Sequence, residues 1–122
     1  MELNLLTESI IGAAIEVHRE LGPGLLENIY SRALGIELAT QGIPYDRELR
    51  IPILYRGELL AEHRIDLVVE QQVIVELKAV ERMLPLFAAQ ILSYMKVAKI
   101  RVGLLVNFNV PVLPNGLKRF VL

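Results

Sequence analysis

Glu76 and Lys78 stand two residues apart inside the apolar run "VIVELKAV", residues 73–80. The run reads as a buried strand through Val73, Ile74, Val75, Leu77 and Val80. A charge buried there without a partner is costly. Period-2 alternation puts Glu76 and Lys78 on one face of the strand and Val75 and Leu77 on the other. The preceding run "LLAEHRIDLVV" (59–69) is also a strand, and "EQQ" between them is a turn. If the two strands form a hairpin centred on Gln71, position i pairs with position 142 − i. Asp66 then faces Glu76, Arg64 faces Lys78 and Val68 faces Ile74. Opposed side chains have Cβ atoms about 4.5–5.5 Å apart, and like charges there repel. A divalent cation gives two facing carboxylates a purpose, because hard cations take carboxylate oxygens.

The elements that must hold these groups can be read along the chain. Residues 5–21 form a helix with Leu6, Ile10, Ala14, Val17 and Leu21 on one stripe, and Thr7 is a candidate cap. "GPG" at 22–24 ends it, and residues 25–41 form a second helix stopped by Gly42 and Pro44. Strand 47–55 carries Pro52, which suits an edge or bulged position, and Gly57 turns the chain into strand 59–69. After strand 73–80 comes a helix over 84–98, with Leu84, Phe87, Ile91, Tyr94 and Ala98 on one stripe. Strands 101–108 and 117–122 complete the order ααβββαββ. This is an α/β class of mixed sheet flanked by helices. The crossover helix should lay strand 101–108 parallel to an earlier strand. No internal repeat, low-complexity tract or linker divides the chain, so 1–122 reads as a single domain.

Asp66, nine residues, then Glu76-x-Lys78 resembles the PD-(D/E)xK nuclease signature. "QILSY" puts Gln90 and Tyr94 at i and i+4, on one helical face, and resembles the Gln-x-x-x-Tyr motif of the superfamily's exonuclease branch. "GLLENIY" (24–30) brings Glu27 into the first turn of the second helix, and Gly24, Glu27 and Tyr30 match the naming motif of the GxxExxY family. Further blocks, "VIVELKAV", "AQILSYMK", "GLLVNF" and "GLKRFVL", extend the likeness over nearly the whole chain. In "HRID" (63–66) Ile65 replaces the signature's proline, and no DNA-binding module is appended.

The resemblance implies a restriction-endonuclease-like core and a metal-dependent nuclease acting on DNA phosphodiesters. It implies Mg²⁺ (or Mn²⁺) on Glu27, Asp66 and Glu76, with Lys78 activating water and Gln90 and Tyr94 positioning the reacting groups. The Leu77 carbonyl is a further candidate ligand. Tyr30 would hold Glu27 or touch substrate, and Lys96, Lys99, Arg101, Lys118 and Arg119 would contact phosphates. Plainer roles exist for each. Glu27 suits a helix N-terminus for dipole reasons alone. Tyr30 suits a core, the basic residues suit a solvated surface, and His18 and His63 lack a partner at ligand spacing. The alternative function is a catalytically silent nucleic-acid-binding or protein-interaction subunit of a larger complex.

Composition narrows the field. Hydrophobic residues make up 53% of the 122 and mean hydropathy is +0.44, enough for one core and compatible with self-association or a protein partner. There is no run long enough to span a membrane and no basic leader, so a cytoplasmic location is expected. The absence of cysteine excludes disulfides, thiolate metal sites and a thiol nucleophile. Net charge is −1, but residues 1–77 balance at −7 and residues 78–122 at +6. Neither a Gly-rich phosphate loop nor a G-x-S-x-G turn is present.

Overall fold

A computed structural model describes all 122 residues. The expected order is present: α1 (Leu3–Leu21), α2 (Glu27–Thr40), β1 (Tyr45–Tyr55), β2 (Glu58–Val69), β3 (Val73–Lys78), α3 (Pro85–Ala98), β4 (Val102–Asn107) and β5 (Leu117–Val121). A short 3-10 helix at Leu113–Gly116, unforeseen from the sequence, precedes β5.

The five strands lie in the order β1-β2-β3-β4-β5. β3 and β4 are parallel, joined through α3, and the other neighbours are antiparallel. β1 is an edge strand, which suits Pro52, and its register with β2 slips between Ile53 and Leu54. The hairpin turn at Arg56–Gly57 has positive φ at both residues (51° and 80°), the geometry that matches strand twist.

Helices cover both faces of the sheet. α1 and α2 bury the larger core, where Leu6, Ile10, Tyr30, Leu34 and Leu38 meet Leu67, Val75, Leu77, Leu104 and Val106. α3 covers the other face, where Ile91 and Met95 pack on Ile51, Ile65, Ile74 and Leu105. No helix is long and apolar enough to cross a membrane.

Two details of α1 depart from the sequence expectation. Its start is capped by Glu2, whose carboxylate accepts the amides of Asn4 (2.9 Å) and Leu5 (3.1 Å). Thr7 lies inside the helix and donates to the Leu3 carbonyl. Leu21 is exposed rather than on the buried stripe, because the chain turns away at Gly22 (φ 69°).

β2 changes character at Asp66. Leu67 and Val69 face α1 and α2, whereas Ile65 faces α3, although all three are odd-numbered. Simple alternation would keep them on one face. The β1–β2 ladder is interrupted here, between Arg47↔Leu67 and Leu49↔Ile65, where Glu48 takes φ 59°. The outer part of the β1–β2 hairpin is therefore an arm that leaves the sheet at Asp66.

Candidate active site

The hairpin arithmetic holds where β2 and β3 pair: Leu67↔Val75, Val68↔Ile74 and Val69↔Val73. The ladder stops there. Asp66 and Glu76 occupy the next rung, but side chains complete it. The Asp66 amide donates to Glu76 Oε1 at 3.2 Å, and the Leu77 amide donates to Asp66 Oδ2 at 2.8 Å. Each carboxylate thus satisfies a backbone donor that the diverging strands leave free. The expected pairing of Arg64 with Lys78 does not form, because the arm has already left β3.

The second oxygen of each acid, Asp66 Oδ1 and Glu76 Oε2, has no protein hydrogen-bond partner. Neither is a sealed, unsatisfied atom. Glu76 is only 7% exposed. Burial, then the neighbouring Asp66 carboxylate, pushes its pKa up to about 8. Burial also raises Asp66, against the Leu77 amide bond and the charge of Lys78. Close, desolvated carboxylates cannot both ionise cheaply, and a cation between them would remove the penalty.

Lys78 lies on the α3 side of β3, with its ammonium 4.3 Å from the centre of the Phe87 ring. It makes no ion pair within 4 Å of Asp66 or Glu76. Tyr94 of α3 feels both acids: burial first, then Glu76 and Asp66, raise its hydroxyl above the usual range. Gln90, one turn earlier, is half-buried on the same helix.

Not every expected residue joins. No three Asp, Glu, His or Cys side chains form a metal-binding group, so Glu27 does not complete a three-acid set with Asp66 and Glu76. It is an exposed first-turn residue of α2 that shares a small, wholly polar cavity of about 100 Å³ with Asp66, Ser31, Arg47 and Arg64. Tyr30 is fully buried and cannot touch substrate. It stacks on Phe108 (centroids 4.4 Å apart), donates to the Gly22 carbonyl at 2.5 Å and accepts the Leu25 amide.

Lys99 is exposed and lines a groove with Asp46 and Gln71, beside the start of β3, whereas Lys78 ends that strand. Arg119 reaches Asn4 at the start of α1. Lys96 and Lys118 are exposed, with Lys118 beside Phe120. None of the four makes an ion pair or hydrogen bond with the acid pair.

Three residues enter that the spacing argument passed over. His63 on β2 stacks on Tyr94 with centroids 3.7 Å apart and planes 19° apart. Burial lowers its pKa from the usual histidine value, against the Asp66 charge. His18 sits elsewhere, against the Val110 carbonyl. Asn107, at the last rung of β4 opposite Lys78, is 3% exposed. Its side chain accepts the Val80 and Asn109 amides and donates to the Val80 carbonyl, pinning the chain just beyond Lys78. Arg47 donates to Ser31 and lies 3.5 Å from Glu48, which also reaches Arg64. Only "GLLVNF" flagged Asn107 in sequence, as a block of likeness rather than a role.

The donor set suits a small hard cation. Mg²⁺ is commonly held by one or two carboxylates, with water and substrate phosphate completing the shell. Asp66 and Glu76 each offer an oxygen free of protein hydrogen bonds.

The solved structure titled "Crystal structure of SSO0001" aligns at 18% identity with a TM-score of 0.45, over 94% of this chain. The chain spans 63% of that protein's length. No curated protein matches significantly. The family model described as the PD-(D/E)XK nuclease superfamily matches residues 4–120, essentially the entire chain. The chain belongs to the PD-(D/E)XK nuclease superfamily.

Proposed function

We propose that this protein hydrolyses phosphodiester bonds of DNA with Mg²⁺ or Mn²⁺ held by Asp66 and Glu76. The observation that carries this reading is the braced acid pair, which keeps one oxygen on each carboxylate free beside Lys78. When bound, the cation supplies Lewis-acid polarisation of a phosphate oxygen and eases deprotonation of water. Asp66 and Glu76 bind it with little reorganisation, because backbone amides already hold both carboxylates. Lys78 swings from Phe87 toward the scissile phosphate and offsets the charge that develops there. Tyr94 and Gln90 orient water or a phosphate oxygen from α3. Glu27 faces Asp66 across the polar cavity and acts on the cation through water.

Within the superfamily, Gly24, Glu27 and Tyr30 support assignment to the GxxExxY family. The fully buried Tyr30 makes that motif in part a folding signature.

The test is cleavage of single- and double-stranded DNA, with and without metal, by wild type, Glu76→Ala and Lys78→Ala. Loss of cleavage in both variants and with chelator is expected. Cleavage that survives the substitutions, or that ignores chelator, would refute the proposal. A second reading, a silent subunit that binds a partner, is favoured by the arm, which exposes Leu54, Tyr55, Leu59 and Leu60. It predicts association without cleavage in any metal.

A further inference from the structure

The β1–β2 arm has no ladder to β3 beyond Leu67↔Val75. Asp66 is the first residue past that rung, so any swing of the arm about its root moves Asp66 relative to Glu76. Backbone hydrogen bonds hold Glu76 from the other side, since β3 is fully laddered to β4 from Val73↔Val102 to Lys78↔Asn107. Hydrogen bonds hold the root of the arm, through Asp66 to Glu76 and Leu77 and through Arg47 to Ser31; beyond the root, side-chain packing on α3 holds it. Ile51 and Ile65 pack in the same apolar cluster as Ile91 and Met95. Beyond them lies the His63–Tyr94 stack, 3.7 Å between centroids and 19° between planes.

This stack differs from the aliphatic contacts in one respect. It joins the arm to a residue whose hydroxyl responds to both acids. Face-to-face stacking fixes the tilt and the separation of two flat rings more closely than aliphatic packing does. His63 also opposes Ile51 across the β1–β2 ladder, so its backbone is tied to both strands of the arm.

We propose that His63 is a positioning residue of this site: its ring, stacked on Tyr94, latches the arm to α3 and sets where Asp66 and Tyr94 stand relative to Glu76. The latch works through the flat face of the ring, so an aromatic hydrocarbon at 63 serves as well as imidazole. Its activity readout rests on the nuclease reading; its structural readout does not.

The experiment compares wild type with His63→Ala and His63→Phe, and uses three measurements. DNA cleavage should show kcat about tenfold to a hundredfold lower in His63→Ala with KM for DNA unchanged, the size expected when a reacting group is displaced by about an ångström. His63→Phe should stay within about twofold of wild type. Calorimetry with Mn²⁺ should show weaker binding in His63→Ala and recovery in His63→Phe. In proton NMR the His63 ring signals, readily assigned in a chain with two histidines, should be shifted upfield by the Tyr94 ring and should relax in Tyr94→Leu.

Unchanged kcat and Mn²⁺ affinity in His63→Ala would overturn the proposal. Equal damage from His63→Phe would overturn it too, by showing that the nitrogens matter and not the stack. A wild type that neither cleaves DNA nor binds Mn²⁺ refutes the nuclease reading instead. The latch is then decided by the ring signals, and their failure to shift overturns it.

Discussion

Asp66 and Glu76 complete a rung of the sheet with their side chains: Glu76 Oε1 accepts the Asp66 amide at 3.2 Å, and Asp66 Oδ2 accepts the next amide after Glu76 at 2.8 Å. The acids therefore do two jobs. One oxygen of each repairs the backbone where the strands part, and the other is left for a ligand.

Replacing Glu76 by glutamine separates these jobs. The amide oxygen can still accept the Asp66 amide, but the buried charge is gone. Glu76→Gln should abolish metal-dependent cleavage and, without metal at pH 8 or above, stabilise the fold by about 1–3 kcal/mol. Urea unfolding at that pH checks the sign. A destabilised Glu76→Gln protein would contradict it.

The same acid makes stability depend on pH. Folded Glu76 holds its proton up to about 8, whereas the unfolded chain releases it near 4.5. Between these values the folded state carries the extra proton. Stability in the absence of metal should then fall as pH rises from 4.5 to about 8, by at most about 1.4 kcal/mol per pH unit from this group. Saturating Mg²⁺ or Mn²⁺ should flatten the slope, because the cation competes with the proton. Denaturant melts across that range, with and without metal, measure both slopes.

Tyr30→Phe tests the buried half of the Gly24–Tyr30 motif. The hydroxyl it removes ties Gly22 to Leu25 across the α1–α2 junction. A cost of about 1–3 kcal/mol is expected. Cleavage per folded molecule should not change, since the ring faces Phe108 and not the acids. A large loss of kcat with an unshifted melting point would place Tyr30 in the site after all.

Asn107→Ala removes three hydrogen bonds from a nearly sealed position and leaves Val80 unsatisfied. Roughly 2–4 kcal/mol of stability should go. In the surviving folded protein the chain after Lys78 is unpinned, so kcat should fall while Mn²⁺ affinity holds. Melting curves and calorimetry on one preparation distinguish the two effects.

The sequence carried most of the frame, for local reasons. Apolar spacing and Gly/Pro punctuation mark the helices and strands, and the "EQQ" turn sets the hairpin register. The arithmetic loses its hold at Asp66 because the arm parts from β3 there and a carboxylate takes the Leu77 amide that the ladder leaves free, and spacing does not encode that. Tyr30 and Glu27 are three residues apart, and only packing tells that one belongs to the core and the other to the surface. Glu2 rather than Thr7 is the cap because the helix begins at Leu3, and the Glu2 carboxylate reaches forward to the Asn4 and Leu5 amides. His63 and Asn107 act through partners 31 and 27 residues away, beyond any local pattern.

The parting of β2 from β3 has one more consequence. Glu76 and Lys78 lie on a strand bonded along its length to fully buried β4, whose amides should exchange with solvent only on global unfolding. Asp66 stands at the root of a two-stranded arm with exposed Leu54, Tyr55, Leu59 and Leu60, where opening is easier. The acid pair thus straddles two cooperative units of unequal stability. A ligand that bridges it welds the weaker unit to the stronger, and slower exchange in the arm, far from the bound atoms, would be the mark of an occupied site.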